Sequence, residues 1–210
     1  VYARLPSFVL GFHGCEREVG ERILAGHDQL QPSQNQYDWL GPGAYFWENN
    51  AKRALSYART VQAQPNRGAK PINDPFVIGA VIDLGYCLNL TDESALELVK
   101  NAYDELESAL KAIGARLPVN KGGDDMLLRQ LDCAVFRALH KHRELNGEPP
   151  FDSIRSPFIE GSSLYEGTLI KQETHLQISV LKPSCIKGYF RPLKANGLPF
   201  QEVSPSSEPA

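Results

Sequence analysis

The sequence has no long hydrophobic run: nowhere do apolar residues approach the roughly 20 in a row that a membrane-spanning helix needs. Its first residues lack the basic start, apolar stretch and small-residue cleavage site of a secretory signal. Methionine is nearly missing. The single one is Met126 and the chain begins at Val1, so either a starting methionine has been removed or the chain is a piece of something longer. Cysteine is scarce and scattered. Cys15, Cys87, Cys133 and Cys185 form no Cys-x-x-Cys pair, so the short ligand spacing of a zinc site is missing. We read them as reduced thiols of a cytoplasmic protein. Nor is there a surplus of either charge: Lys and Arg number 22 against 25 Asp and Glu, a net charge of −3. A phosphate backbone needs a basic surplus, so any nucleic-acid contact has to be local.

What is present suits one compact domain with a tail. The chain has 210 residues, 42% hydrophobic and 22% charged, enough to bury an ordinary core and too apolar for global disorder. Residues 7–13 read as an apolar strand and 16–26 as a helix that Gly26 can cap. A polar loop over 27–38 leads to an aromatic strand at 43–47. A helix over 49–63 follows, with Asn49 or Asn50 as N-cap. The β-branched run at 75–85 reads as a buried strand. A helix over 92–115 shows Leu96, Val99, Tyr103, Leu106, Leu110 and Ile113 at helical spacing, and a second helix spans 124–145. Strands are expected within 151–161, 174–181 and 185–193, and a disordered tail over 204–210. Strands near both ends flanking a helical middle predict an α+β fold.

Three short motifs carry the candidate chemistry. Phe12-His13-Gly14 ends the first strand, where a histidine beside a glycine can face a cleft or simply satisfy the structure. Leu40-Gly41-Pro42-Gly43-Ala44-Tyr45-Phe46-Trp47 is an aromatic strand after a tight turn, which on its own reads as core. In Thr174–Val180, His175, Gln177 and Ser179 share one face and Leu176, Ile178 and Val180 the other. A wet outer face is the ordinary reading, a ligand-facing wall the alternative. His140 and His142 point to different faces of their helix beside Lys141, Arg143 and Glu144, a solvated helix end rather than a metal site. The Gly41–Gly43 turn precedes a strand and lacks a phosphate-loop lysine. A Cys15–His13 nucleophile pair lacks a third, orienting group.

Taken in order, the three motifs resemble the ADP-ribosyltransferase superfamily of the diphtheria-toxin and poly(ADP-ribose) polymerase type. Its pattern is a His-Gly at the end of the first strand, a Gly-x-Gly-x-Tyr-Phe strand entering a helix with a second Tyr, and a late strand carrying Glu. Here these are His13-Gly14, Gly41-Pro42-Gly43-Ala44-Tyr45-Phe46, Tyr57 and the 174–190 region. The last position departs from the pattern. The gapless match puts Gln177 where the family has glutamate; Glu173 fits only with a shift of four residues.

The resemblance implies a split β-sheet core and cleavage of the nicotinamide–ribose bond of NAD⁺ as co-substrate. It implies that His13 bonds the adenosine ribose and that the Gly14 backbone clamps the nicotinamide amide. Tyr45 and Tyr57 would stack on the nicotinamide ring, Gly43 and Phe46 would line the cofactor site, and Gln177 or Glu173 would face the nicotinamide ribose. It further implies mono-ADP-ribosyl transfer to a macromolecular acceptor, protein or nucleic acid, with no metal and no membrane. A toxin or defence effector with a neutralising partner protein fits by analogy. Two alternatives stay open: a silent NAD- or ADP-ribose-binding module, and an NAD⁺ glycohydrolase. The helices within 92–145 are expected to form an insertion that covers the site or selects the partner.

Overall fold

The computed structural model describes residues 8–64, 70–123 and 125–201. The fold is α+β: seven strands in one mixed sheet, ordered β4-β5-β6-β2-β1-β3-β7, with four helices. The strands are β1 (Phe8–Glu16), β2 (Ala44–Glu48), β3 (Pro75–Asp83), β4 (Cys87–Asn89), β5 (Ser153–Phe158), β6 (His175–Val180) and β7 (Ile186–Phe190). The helices are α1 (Arg17–Leu24), α2 (Ala51–Ala63), α3 (Glu93–Ala112) and α4 (Gln130–Leu145). Among the described strands, only the β4–β5 ladder is parallel. The expected tail at 204–210 lies outside the described residues.

Strand alternation sorts the sheet into two faces, because ladder partners share a face and successive residues do not. Phe12 pairs with Trp47, Trp47 with Gln177, and Gln177 with Ser156, so these four form one row across β1, β2, β6 and β5. This first face is covered at one end by α2 and at the other by α3 and α4. Under α2 lie Phe12, Trp47 and Val77, packed on Ala54 and Leu55. Under α3 and α4 lie Leu88, Ile154 and Phe158, with Val135, Phe136 and Leu139 from α4. The second face buries Ala44, Phe46, Ala80, Ile82, Ile178 and Val180, and α1 closes it with Ile23 against Phe76 and Ile78.

Local chemistry explains the helix starts. Asn50 caps α2 by accepting from the Arg53 amide at 2.9 Å, and Asp92 caps α3 by accepting from the Ser94 amide at 2.9 Å. Gly26, at φ +76°, ends α1 with its amide on the Ile23 carbonyl.

Several expectations need correction. The helix read over 124–145 begins only at Gln130. Lys121 bridges Leu128 around Gly122 and Gly123, both at positive φ, and the Asn120 side chain caps α4 from ten residues upstream of its start. On α3, Val99, Tyr103 and Leu106 of the expected face do pack on the core, beside the buried Ala95 and Ala102, while Leu96 is 50% and Ile113 76% exposed. The predicted solvated end of α4 turns inward in part. Arg143 is buried, bonded to the Pro149 carbonyl and stacked over Phe151, and the His140 ring also meets Phe151 edge-on. The face of β6 bearing His175, Gln177 and Ser179 is buried, not wet.

Candidate active site

The β1–β2 ladder is short. β1 pairs with β3 over nine residues, Phe8 to Glu16, but with β2 at only Gly11 and Phe12. Beyond that point β1 continues to Glu16 and β2 reaches back to Ala44 without pairing to each other, so the sheet splits there. The Leu10 carbonyl accepts from the Asn49 amide at the other, paired end of this short ladder. Backbone groups in a strand alternate sides, so Leu10, Phe12 and Gly14 all turn theirs toward β2. Gly14 therefore presents its N–H and C=O to the split with no ladder partner in β2.

His13 sits in the same gap. Its Nδ1 is 2.8 Å from the Tyr45 carbonyl, so the imidazole replaces the backbone as that carbonyl's partner. The ring lies on the second face, edge-on to Phe46 at 6.0 Å. Burial holds its pKa below the ordinary value of 6.5, against the opposing pull of the Tyr45 carbonyl. The ring is thus neutral at pH 7, with Nδ1 as donor. His13→Ala is expected to cost about 0.5–1.5 kcal/mol of stability, read by urea denaturation. A histidine whose charged form is disfavoured in the fold makes stability fall as pH drops below 6.5, because the unfolded chain then binds more protons. His13→Ala should weaken that acid sensitivity.

The Gly14 Cα lies against α2: a Cβ there would meet the Ala54 carbonyl oxygen at 2.2 Å. A glycine is required for this packing. Gly43, at φ +155°, plays a similar part, since a Cβ would strike Ser179 Oγ at 2.1 Å. Tyr45 stands on the first face. Its hydroxyl accepts from the Leu40 amide at 2.8 Å and donates to the Gly41 carbonyl, which fixes the ring against the turn. Burial drives the Tyr45 phenol well above its normal pKa. Phe46 does not line an open site, contrary to expectation. Alternation turns it to the second face, where it is 0% exposed in the core. Tyr57 comes from α2 and packs on Trp47, ring centroids 5.0 Å apart.

Gln177 and His175 occupy the floor of the first face between α2 and the α3–α4 pair. Both are over nine-tenths buried. Gln177 Oε1, His175 Nε2, Trp47 Nε1 and Arg53 Nε are all buried without a hydrogen-bond partner among the described residues. Buried polar groups are normally paired, and these four lie close together: Trp47 and Gln177 share one row, His175 stands two residues along the same face beside Trp47, and Arg53 lies over the Trp47 ring from α2. His175 Nδ1 lies 2.7 Å from the Glu173 carbonyl, which can only accept. Its Nδ1 therefore carries the proton and Nε2 holds a bare lone pair. Burial keeps the His175 pKa low, with the neighbouring Arg53 charge acting in the same direction.

Glu173 precedes β6 and is not on its floor. It is half-exposed and pairs with Arg53 Nη2 at 2.7 Å. The same nitrogen meets Glu160 at 2.8 Å, and Glu160 is 3% exposed. Burial raises the Glu160 pKa against the pull of Arg53. The Glu173 amide also donates to the Glu160 carbonyl at 3.0 Å. Arg53 thus pins the base of the β5–β6 loop to α2.

Comparison with protein-family models, curated proteins and solved structures finds no match to this chain. The site rests on its own geometry. That geometry brings Gly14, His13 and the Tyr45 backbone together at the split, with the Tyr45 ring and Gln177 on the first face and the His13 imidazole on the second. It leaves Phe46 in the core. Sequence reasoning missed Arg53, Glu160 and Trp47. A buried glutamate joined to an arginine 107 positions away leaves no periodic trace. Cys15 is no nucleophile: burial and the adjacent Glu16 push its thiol up to about 12. All four cysteines are free, and no group of metal-ligating side chains occurs among the described residues. No helix among them is long and apolar enough to cross a membrane. Two open hollows of about 350 and 410 Å³, on α4 around Arg137 and along the outer side of α2 around Arg59, lie apart from this cluster.

Proposed function

We propose that this chain is an NAD⁺-dependent mono-ADP-ribosyltransferase with an ADP-ribosyltransferase-like split sheet, acting on a macromolecular acceptor. The observation that carries the reading is the split itself. Gly14 offers one donor and one acceptor at an unpaired strand edge, with Tyr45 on the opposite lip. A planar primary carboxamide such as that of nicotinamide needs that pair of partners. Support also comes from Gln177, whose buried and unpartnered amide oxygen can accept from a ribose hydroxyl.

In this reading Gly14 holds the carboxamide and Tyr45, with Tyr57 on its Trp47 support, flanks the ring. His13 Nε2 faces the adenosine ribose while Nδ1 stays tied to Tyr45. Gln177 bonds the nicotinamide ribose as positive charge develops there. An amide stabilises that cation less than a carboxylate, whose attraction at 4 Å is roughly 4 kcal/mol at an effective dielectric of 20. Slow turnover is expected, and chain elongation to a polymer is not. A macromolecular acceptor is supported by the β5–β6 loop, where Ile159, Leu164, Tyr165, Leu169 and Ile170 are exposed, Leu169 at 91%. Exposed apolar surface of this kind suits a protein contact. A toxin or defence role with a neutralising partner accords with such a surface by analogy alone.

The test is incubation with NAD⁺ labelled on adenine, with and without cell lysate. Label on macromolecules supports the proposal. Free ADP-ribose without transfer replaces it by a glycohydrolase, and intact but bound NAD⁺ by a silent module. Absence of binding overturns all three.

A further inference from the structure

Two of the orphaned atoms accept and two donate. Gln177 Oε1 and His175 Nε2 are acceptors; Trp47 Nε1 and Arg53 Nε are donors. Gln177 is accounted for above by the ribose. His175 is not. It lies two residues away on the same face of β6, about 7 Å along the strand, where a second reactant would stand beside the ribose. Its ring is held on both sides, by Phe158 at 5.8 Å and 30° and by Trp47 at 6.3 Å. The Glu173 carbonyl fixes the tautomer that leaves Nε2 bare.

We propose that His175 is the general base of the transfer step and that the acceptor it serves is a hydroxyl group. This rests on the ADP-ribosyltransferase reading of the same site. Nε2 takes the hydroxyl proton as the acceptor oxygen bonds to C1 of the nicotinamide ribose. The C1–N bond breaks, its electron pair returns to the pyridinium nitrogen, and neutral nicotinamide leaves. The imidazolium then gives its proton to solvent. A carboxylate acceptor needs no base and would approach Glu160 and Glu173, whose two charges exceed that of Arg53. A hydroxyl both donates and accepts, which matches the mixed set of unpaired atoms. The charged groups facing His175 are Arg53 from α2, Glu160 beyond β5 and Glu173 before it on the chain, with Asp125 behind them bonded to the Gly161 amide.

The experiment uses methanol as the smallest hydroxyl acceptor and azide as a nucleophile with no proton to lose. Wild type and His175→Ala are compared for nicotinamide release from NAD⁺ in water–methanol mixtures. His175→Ala should lower the rate about 10²- to 10⁴-fold with NAD⁺ affinity unchanged. Azide should restore the variant's turnover about tenfold or more and yield ADP-ribosyl azide, while leaving wild type little changed. The wild-type rate should fall on the acid side at a pH lower than the ordinary histidine value of 6.5, and the variant should lose that limb. A variant as active as wild type, or one that binds NAD⁺ but is not rescued by azide, overturns the assignment. Should His175→Ala fail to fold, His175→Gln takes its place, and a folded His175→Gln that releases nicotinamide as fast as wild type overturns the assignment by itself. Cleavage of NAD⁺ that ignores His175 defeats this inference alone. Failure of wild type to bind or cleave NAD⁺ defeats the underlying reading as well.

Discussion

Arg53→Met is expected to destabilise the protein by about 3–5 kcal/mol at pH 7, because it leaves the Glu160 carboxylate buried without its partner. Arg53 and Glu160 are both largely buried, while Glu173 is half-exposed and can turn to water. The loss should shrink as pH falls. Glu160 already has a raised pKa in the fold, and without Arg53 it rises further. Between the unfolded value of 4.5 and the folded value, the native state binds more protons than the unfolded chain, so stability falls as pH rises through that window. Urea denaturation at pH 5 and pH 7 measures both effects. A loss below about 1 kcal/mol at both pH values would place the pair among exposed ion pairs of little worth. The β5–β6 loop, whose ends Arg53 holds to α2, should also gain proteolytic sensitivity in this variant.

Gln177→Ala is expected to cut NAD⁺ turnover about 10²-fold, the scale seen when one preorganised group facing developing charge is removed. NAD⁺ affinity should change much less, because the contact strengthens as the ribose becomes cationic. Gln177→Glu should keep turnover or raise it, since a carboxylate faces the same charge at full strength. Glu173→Ala should leave turnover nearly unchanged, because Glu173 lies before β6 and outside its buried floor. Single-turnover nicotinamide release and NAD⁺ calorimetry separate the two parameters. Loss of activity in Glu173→Ala with an active Gln177→Ala would shift the catalytic register by four residues. Indifference to both, with NAD⁺ still bound, would leave a silent module.

Much of the local structure was legible from local chemistry. Asn50 and Asp92 announce α2 and α3 because a cap bonds amides two or three residues away. The run Pro75–Asp83 announces β3 because its β-branched residues suit a strand buried on both faces. His13, Gly14, Tyr45 and Gln177 were picked from short motifs in order, but Phe46 was expected in the site and the structure turns it to the core on the other face. The three-residue β4 had no such signal. The start of α4 was misplaced because its cap, Asn120, acts from outside the helical pattern across a Gly122-Gly123 turn.

The sequence by itself determined the α+β class, most of the elements and the alternation that groups side chains into faces. Each follows from interactions within a few residues. The tertiary structure alone decided which face was covered, since that depends on where α2 and the α3–α4 pair land on the sheet. It made the His175–Gln177 face a buried floor rather than a wet surface, and ended the β1–β2 ladder after Phe12. It also joined Arg53 to Glu160 and Glu173 across 107 and 120 residues. Contacts at such separation are fixed by packing of the whole domain, and no local propensity encodes them.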